Sequence, residues 1–324
     1  MLRQQLPRRP NGLTIRFPTP TLRRGNSANL QHRSSLSYTL KGAKMASAAT
    51  APVADPRWKT LIAKSIAENI KNDGSVLYYA LSTVIPGSPP TPQVRYVVHR
   101  GFVNEKRADT PEGVEPALDG FGCGTALLTT TDVRAPKAQQ IRDSIERTGS
   151  AQAQIAWWHD PSKLQFRITG TLHLVPHANH PTLRSLPAEA APPSISGQSW
   201  DWQQERKRIF EKLSPSLLAS FARPTPGSDH PQGNSRGDGP GEGEGKGDAS
   251  PWPLELPRPT DERITDEQKK LLEKSNENFA LVVLLPRQVD VVDLDRDRRS
   301  MFQRKSEGTG KGAHEEWEET RVVP

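Results

Sequence analysis

Hydrophobic and polar residues follow a regular pattern only after residue 57. Apolar residues first recur at helical spacing, at Leu61, Ile62, Ile66 and Ile70. An Asn-Asp-Gly sequence at 72–74 then stops the pattern, so the spacing predicts an amphipathic helix over 58–71. Runs rich in β-branched and aromatic residues predict strands at 76–85, 94–103, 125–131, 151–158 and 164–175, with a helix at 138–145.

The second half of the chain has helical patterns over 200–222 and 266–274 before it returns to strands. We predict two of these strands, at 279–285 and 289–294, and expect 317–324 to close the chain. Short connections favour antiparallel pairing, and helices set apart from clustered strands are typical of α+β proteins. The pattern therefore predicts an α+β fold with a barrel-like antiparallel sheet of about six strands and peripheral helices.

Two segments lack the apolar residues that a packed core needs. Residues 225–250 contain a run of alternating glycines, which predicts a flexible low-complexity insertion. Residues 1–54 are rich in Arg and Ser and contain no Asp or Glu, as in a mitochondrial presequence. Prolines at 7, 10, 18 and 20 weaken the helix that such a peptide forms, and Met45 offers an alternative start.

Two readings of the start therefore stay open. Either residues 1–44 resemble a presequence because the protein enters the mitochondrial matrix, or the chain begins at Met45 and is cytoplasmic. In both cases we expect residues 1–54 to be a disordered extension or presequence. We expect residues 55–324 to form the folded domain.

The formal charge of +7 comes from the N-terminal segment. Residues 1–54 hold nine of the 44 basic residues and none of the 37 acidic ones, which leaves 35 basic against 37 acidic residues elsewhere. Nucleic-acid-binding domains concentrate positive charge in their folded part, so we expect no nucleic-acid partner. No apolar run approaches the roughly 18 residues that span a membrane, so we expect no membrane partner.

The sequence offers little for a metal site. Cys123 is the single cysteine, which excludes a cysteine-based metal cluster. Three histidines at 173, 177 and 180 follow a predicted strand without a nearby carboxylate, so we expect no metal.

Four motifs resemble those of the pyridoxamine 5′-phosphate oxidase-like FMN-binding split-barrel superfamily, and they occur in the same order. Residues 95–102 (RYVVHRGF) are similar to its first FMN-contacting strand, and 128–141 (LTTTDVRAPKAQQI) to its second signature. Residues 164–171 (LQFRITGT) and 317–324 (WEETRVVP) are similar to its third signature and its C-terminal ending. The resemblance implies an FMN-binding split barrel and a homodimer with two FMN sites at the subunit interface.

The resemblance also assigns roles to individual residues. It implies Arg95 and Lys137 as cations for the FMN phosphate and Thr130 and Thr131 as neighbouring donors, which suits a phosphate dianion. It places Arg100 on the ring or substrate side and Gln165 as a donor to the isoalloxazine edge. The remaining implied cofactor contacts are Tyr96, Val97, Val98 and Arg299.

The chain departs from the family pattern at several positions. Ala135 replaces a phosphate-binding Ser, and Pro136 replaces an Arg before Lys137. Val292 stands where the family has an aromatic residue. Of the three residues that hold the substrate phosphate in true oxidases, Arg223 aligns, whereas the other two positions are Ala219 and Gly227.

These departures affect the substrate more than the cofactor. They indicate the FMN-binding branch named pyridoxamine oxidase type 2 rather than the vitamin B6 enzymes. We therefore expect an FMN-dependent oxidoreductase that acts on a small molecule, with Arg223 contacting the substrate. The alternative is a flavin-binding or regulatory module without turnover, and the charge distribution opposes a third hypothesis, a nucleic-acid binder.

Overall fold

The computed structural model describes residues 55–106, 117–229, 252–305 and 316–324. The predictions for 1–54 and for most of the 225–250 insertion lie outside these residues. The helices are α1 Arg57–Asn69, α2 Pro136–Thr148, α3 Trp202–Phe210, α4 Pro215–Ala222 and α5 Asp266–Asn278. The strands are β1 Tyr78–Ile85, β2 Thr91–Val98, β3 Leu127–Asp132, β4 Ala151–His159, β5 Leu164–Val175, β6 Phe279–Asp293, β7 Arg298–Arg304 and β8 Trp317–Val322.

All eight strands belong to one antiparallel sheet. Its order is β2-β1-β4-β5-β6-β7-β8, and β3 pairs with the first half of β6. Three of the neighbouring pairs, β1–β2, β4–β5 and β6–β7, are joined by connections of a few residues, which favours antiparallel pairing. The predicted α+β fold with an antiparallel split β-barrel and peripheral helices is confirmed.

Two apolar clusters lie against the sheet. Side chains alternate between buried and exposed along β4, and its inward residues join those of β5 and of α1 in the barrel core. The largest fully buried members of this core include Trp58, Trp157 and Phe166. The second cluster packs α3, α4 and α5 against the other face of β6, around residues such as Phe210, Leu218 and Phe279.

The prediction of separate strands at 279–285 and 289–294 is wrong, because β6 is continuous over 15 residues. Thr169 and Gly170 are consecutive on β5, but they pair with Gln288 and Pro286, which leaves Arg287 as an extra residue. This bulge accommodates the proline, which has no N–H for the ladder. Gly170 is required there, because a Cβ would lie 2.2 Å from the Leu285 carbonyl oxygen.

The predicted count of about six strands is also too low, since the described residues form eight. The strand missed at Arg298–Arg304 is polar, and only Ser300 and Phe302 of its residues are buried. β2 ends at Val98 instead of continuing to residue 103. Within the described ranges, no helix combines the length and apolar character needed to cross a membrane.

Candidate functional site

Arg95 lies on β2 with its guanidinium held by neutral acceptors. Its Nη1 donates to the Thr83 hydroxyl, and its Nη2 donates to Oε1 of Gln140 at 3.0 Å. Gln93 adds longer contacts to the same two nitrogens, at 3.4 Å each. Burial lowers the pKa of Arg95 from its ordinary value, because a buried charge loses hydration. All the described partners of Arg95 are therefore uncharged.

Lys137 reaches the same place from the first turn of α2. Its Nζ donates to the carbonyl oxygen of Thr130 at 3.2 Å. Burial, and then the charge of Arg95, lower the pKa of Lys137 to about 8. Arg95 donates to Gln140, which lies three residues after Lys137 on the same helix, and residues three apart share one face of an α-helix. The two cations therefore lie near each other, and we call this pair the Arg95–Lys137 site.

The start of α2 adds a backbone donor to this site. Ala135 precedes the helix and Pro136 begins it, and among the described residues no side chain caps the first turn. That turn also contains no acidic residue. Pro136 has no N–H, and the N–H groups of Ala138 and Gln139 donate to the Ala135 carbonyl oxygen at 2.9 and 3.2 Å. Of the first-turn N–H groups, that of Lys137 is left to favour an anion, so the backbone adds one donor to the two cations although the family's Ser is missing.

The two predicted threonine donors point to opposite faces of β3. Thr131 is buried and its hydroxyl donates to the Asp132 carbonyl at 3.2 Å, whereas Thr130 is half-buried. Successive side chains alternate along a strand. One phosphate group can therefore meet at most one of these hydroxyls.

Three other predicted cofactor residues lie on the outer face of the sheet, which points away from the barrel core. Gln165 and Arg299 share one row across the sheet, each opposite Val292. Tyr96 lies on the edge strand β2 and is 77% exposed. The structure therefore does not bring these residues to the Arg95–Lys137 site of the same chain.

Arg299 differs from Arg95 because it has a carboxylate partner. Its Nε and Nη2 donate to the two carboxylate oxygens of buried Asp290, at 3.0 Å each. Arg167 Nε lies 3.2 Å from the same carboxylate. The hydrogen bonds and the charge of Asp290 raise the pKa of Arg299. We call Arg167, Asp290 and Arg299 the Asp290 cluster.

The other residues that the first motif assigns to FMN lie in three different places. Val97 is buried in the barrel core and Val98 is half-buried on the outer face. Arg100 lies beyond the end of β2, so strand alternation does not set its direction, and its backbone N–H donates to Leu128 at 2.8 Å. Burial raises the pKa of Tyr79, and the nearby charge of Arg100 opposes this shift.

Arg223 lies at the end of α4, in a pocket of about 260 Å³. Its Nε is buried and has no hydrogen-bond partner among the residues that the structure describes. The other lining residues are Ser220, Pro224, Thr225, Pro226, Ser228, Asp229 and Trp252. The pocket thus combines a guanidinium with the Asp229 carboxylate, hydroxyl groups and an aromatic ring.

Arg134 connects this pocket to the start of α2. It forms a bidentate ion pair with Asp132, with bonds of 2.9 and 2.6 Å. Its Nη2 also donates to the carbonyl oxygens of Phe221 at 3.3 Å and Arg223 at 3.1 Å. The loop that leads to Lys137 and the end of α4 are therefore held together.

The donor set of the Arg95–Lys137 site fits a phosphate group. It offers two neighbouring cations with uncharged described partners, at the N-terminus of a helix. Sequence reasoning predicted both cations but missed Thr83, Gln140 and Asp290, which contact the predicted arginines. Gln140 lies within the second motif, which is the one signal that could have identified it.

Comparisons with known proteins agree with this chemistry. The family model described as "Pyridoxamine 5′-phosphate oxidase, FMN-binding domain" matches residues 55–176. A search of curated proteins found no match.

Solved structures with a related fold include a pyridoxamine 5′-phosphate oxidase-related, FMN-binding protein from Nostoc punctiforme. It is 21% identical, with a TM-score of 0.50 over 84% of this chain and 100% of that one. PhzG from Burkholderia lata, solved with tetrahydrophenazine-1-carboxylic acid, is 13% identical, with a TM-score of 0.40 over 85% and 95% of the two chains. Residues 55–176 thus match the FMN-binding domain of the pyridoxamine 5′-phosphate oxidase family, and the fold is similar to that of an FMN-binding protein related to this oxidase, which supports the predicted superfamily.

Proposed function

We propose that the protein is an FMN-dependent oxidoreductase and that its Arg95–Lys137 site binds the phosphate of the cofactor. The observation that carries this proposal is the pair of cations whose described partners are all neutral. Keeping two such charges side by side is unfavourable unless an anion joins them. When bound, FMN would supply the hydride or electron chemistry, and the chain would bind and orient it.

The separation of the predicted residues supports a site built from two chains. The Arg95 side chain lies on the barrel side of β2, where it meets Thr83, whereas Gln165 lies on the outer face. Three strand spacings separate β2 from β5, roughly 14 Å in the hydrogen-bonding direction. We propose that Arg95 and Lys137 of one chain bind the phosphate and that Gln165 and Arg299 of a second copy meet the flavin ring.

The outer face has the character of a surface that meets a second copy. Its exposed side chains include Val94 at 69%, Tyr96 at 77% and Trp158 at 40%. Apart from the Asp290 cluster, the central rows of this face carry neutral side chains, among them Gln154, Ala156 and Thr169. Large exposed apolar and aromatic residues beside neutral central rows favour a protein interface, so we propose a homodimer through this face.

We propose the Arg223 pocket as the place where the substrate binds. Arg134 ties the end of α4 to the loop before Lys137, which favours a pocket close to the cofactor. The Arg223 guanidinium and the Trp252 ring of this pocket suit a small aromatic substrate with one anionic group, and the Asp229 carboxylate would repel a second anionic group.

Two measurements test the proposed function. Flavin absorbance and stoichiometry of the purified protein after incubation with FMN test binding, with one FMN expected per chain. Anaerobic reduction by candidate donors, followed by reoxidation in air, tests turnover. Protein that fails to bind FMN refutes the proposal, and protein that binds FMN without any reduction supports the alternative of a flavin-binding module.

Pyridoxamine 5′-phosphate is expected to be a poor substrate. Of the three aligned substrate-phosphate positions, Arg223 keeps its charge, whereas Ala219 is buried and Gly227 has no side chain. Losing two hydrogen-bond donors to a phosphate should cost several kcal/mol of transition-state binding. Hydrogen peroxide production by FMN-loaded protein measures this, and a kcat/KM within about tenfold of ordinary enzymes would restore the vitamin B6 assignment.

A further inference from the structure

Gln140 lies behind the Arg95 guanidinium, on α2, and 7% of it is exposed. Its Oε1 accepts two hydrogen bonds, from the Thr83 hydroxyl at 2.6 Å and from Arg95 Nη2 at 3.0 Å. Its Nε2 donates to Oε1 of Gln93 at 3.0 Å. Because each end of the amide has its own kind of partner, the network fixes which atom faces Arg95.

Thr83 completes a closed ring of hydrogen bonds with Gln140 and Arg95. It is 3% exposed, it accepts from Arg95 Nη1, and it donates to Gln140. The two terminal nitrogens of the guanidinium are therefore held from two different elements, β1 and α2. A guanidinium held in this way loses little further conformational freedom when it binds an anion.

The partners of Arg95 in this network are neutral, unlike the partners of two other arginines in the chain. Arg299 and Arg134 are held by aspartates, which compensate their charge. A carboxylate at position 140 would hold Arg95 equally well but would cancel the charge that an anion needs. An amide orients the guanidinium and leaves its charge available.

We propose that Gln140, supported by Thr83, is a positioning residue that orients the Arg95 guanidinium for the FMN phosphate. Because Gln140 is neutral, it leaves the positive charge of the Arg95–Lys137 site available to that phosphate. This inference rests on the proposed function. It assigns the preference for FMN over riboflavin to a neutral side chain that does not itself contact the phosphate.

The test compares FMN with riboflavin, which lacks the phosphate, on the full chain. Gln140→Glu keeps the shape of the side chain and adds a carboxylate beside Arg95. We expect affinity for FMN to fall by about tenfold or more while affinity for riboflavin is unchanged. Thr83→Val, which removes one hydroxyl, should weaken FMN binding by a smaller factor in the same selective way.

Gln139→Glu is the matched control, because it makes the same change one residue away on the exposed face of α2. Thermal melts establish that each variant is folded, and Thr83→Val carries the test if Gln140→Glu is not. If both variants keep the parent's ratio of FMN to riboflavin affinity, or lose both ligands equally, the inference is wrong. If the parent itself does not prefer FMN, the phosphate assignment fails and this inference fails with it.

Discussion

The family resemblance connects cations of both the Arg95–Lys137 site and the Asp290 cluster with FMN. The two groups differ in whether a carboxylate compensates their positive charge. At the first, two cations have neutral partners and lowered pKa values. At the second, two arginines share one buried carboxylate, and the pKa of Arg299 is raised.

The difference indicates which cations are available to a ligand. A cation that already has a carboxylate gains little from a second anion, whereas an uncompensated one gains a strong charge-assisted bond. We therefore expect the Arg95–Lys137 site to determine phosphate affinity. We expect the Asp290 cluster to contribute to stability and to order the outer face.

Removing a cation from the Arg95–Lys137 site should have the largest effect. Lys137→Ala and Arg95→Ala should each cost about 1.5–3 kcal/mol of FMN binding, or roughly ten- to a hundred-fold in affinity. Riboflavin binding should not change, because the lost bond is to the phosphate. Isothermal titration calorimetry with both ligands measures this.

Lys64→Ala is the control for these variants, since its side chain is 69% exposed on α1. If Arg299→Ala reduces the preference for FMN over riboflavin as much as Lys137→Ala does, the Arg95–Lys137 site does not determine phosphate affinity by itself.

Breaking the Asp290 cluster should affect the fold instead of the phosphate. Asp290→Asn keeps the shape of the side chain but leaves two arginines without their carboxylate. We expect the free energy of unfolding to fall by about 1–2 kcal/mol, less than for a fully buried pair because both arginines are partly exposed. Urea denaturation measures the change.

Asp293→Asn provides the comparison for that variant, because its partner Arg296 is 68% exposed and such surface pairs contribute little. Equal losses of stability in the two aspartate variants would contradict the role given to Asp290.

The pH dependence of FMN binding sharpens the contrast further. Lys137 in the free protein has a pKa of about 8, and a bound phosphate dianion should raise it. Above pH 8 the free lysine is neutral and must take up a proton on binding. FMN affinity should therefore fall by about tenfold between pH 7 and pH 9.

Riboflavin is the internal control, since its binding should stay constant over this range. Lys137→Arg should remove the dependence, because arginine stays charged. A parent protein whose FMN affinity is flat from pH 7 to pH 9 would mean that Lys137 does not meet the phosphate.

The smallest effect is expected from removing the segments that contribute to neither group of cations. Deleting 1–54 and 230–251 together should change the free energy of unfolding by less than about 1 kcal/mol and leave FMN affinity unchanged. The second deletion begins after Asp229, because Thr225–Asp229 includes residues that line the Arg223 pocket. Loss of the cooperative melt would mean that at least one of these segments is needed for the domain to fold.

Helices and strands that depend on local sequence patterns could be predicted from the sequence. The helical spacing around Ile62 and the alternation of β4 and β5 gave elements close to those observed. Arg95 and Lys137 were predicted through motifs, because a phosphate demands cations at defined positions of a strand and a helix.

Contacts between distant parts of the chain could not be predicted in this way. Thr83 meets Gln140 across 57 positions, and the aspartate that binds Arg299 belongs to another strand. The sequence predicted two strands on either side of residues 286–288, and only the pairing with β5 shows that a bulge accommodates Pro286 within one strand.

That bulge has a consequence for how the chain can change in length during evolution. Before it, the even-numbered residues Val282 and Leu284 face the barrel core, and after it the odd-numbered Val289 and Val291 do. Arg287 is therefore the residue that β6 can lose while every other side chain keeps its side of the sheet. A deletion elsewhere in the strand would exchange inside for outside, so length variation in this family of sequences should concentrate at position 287.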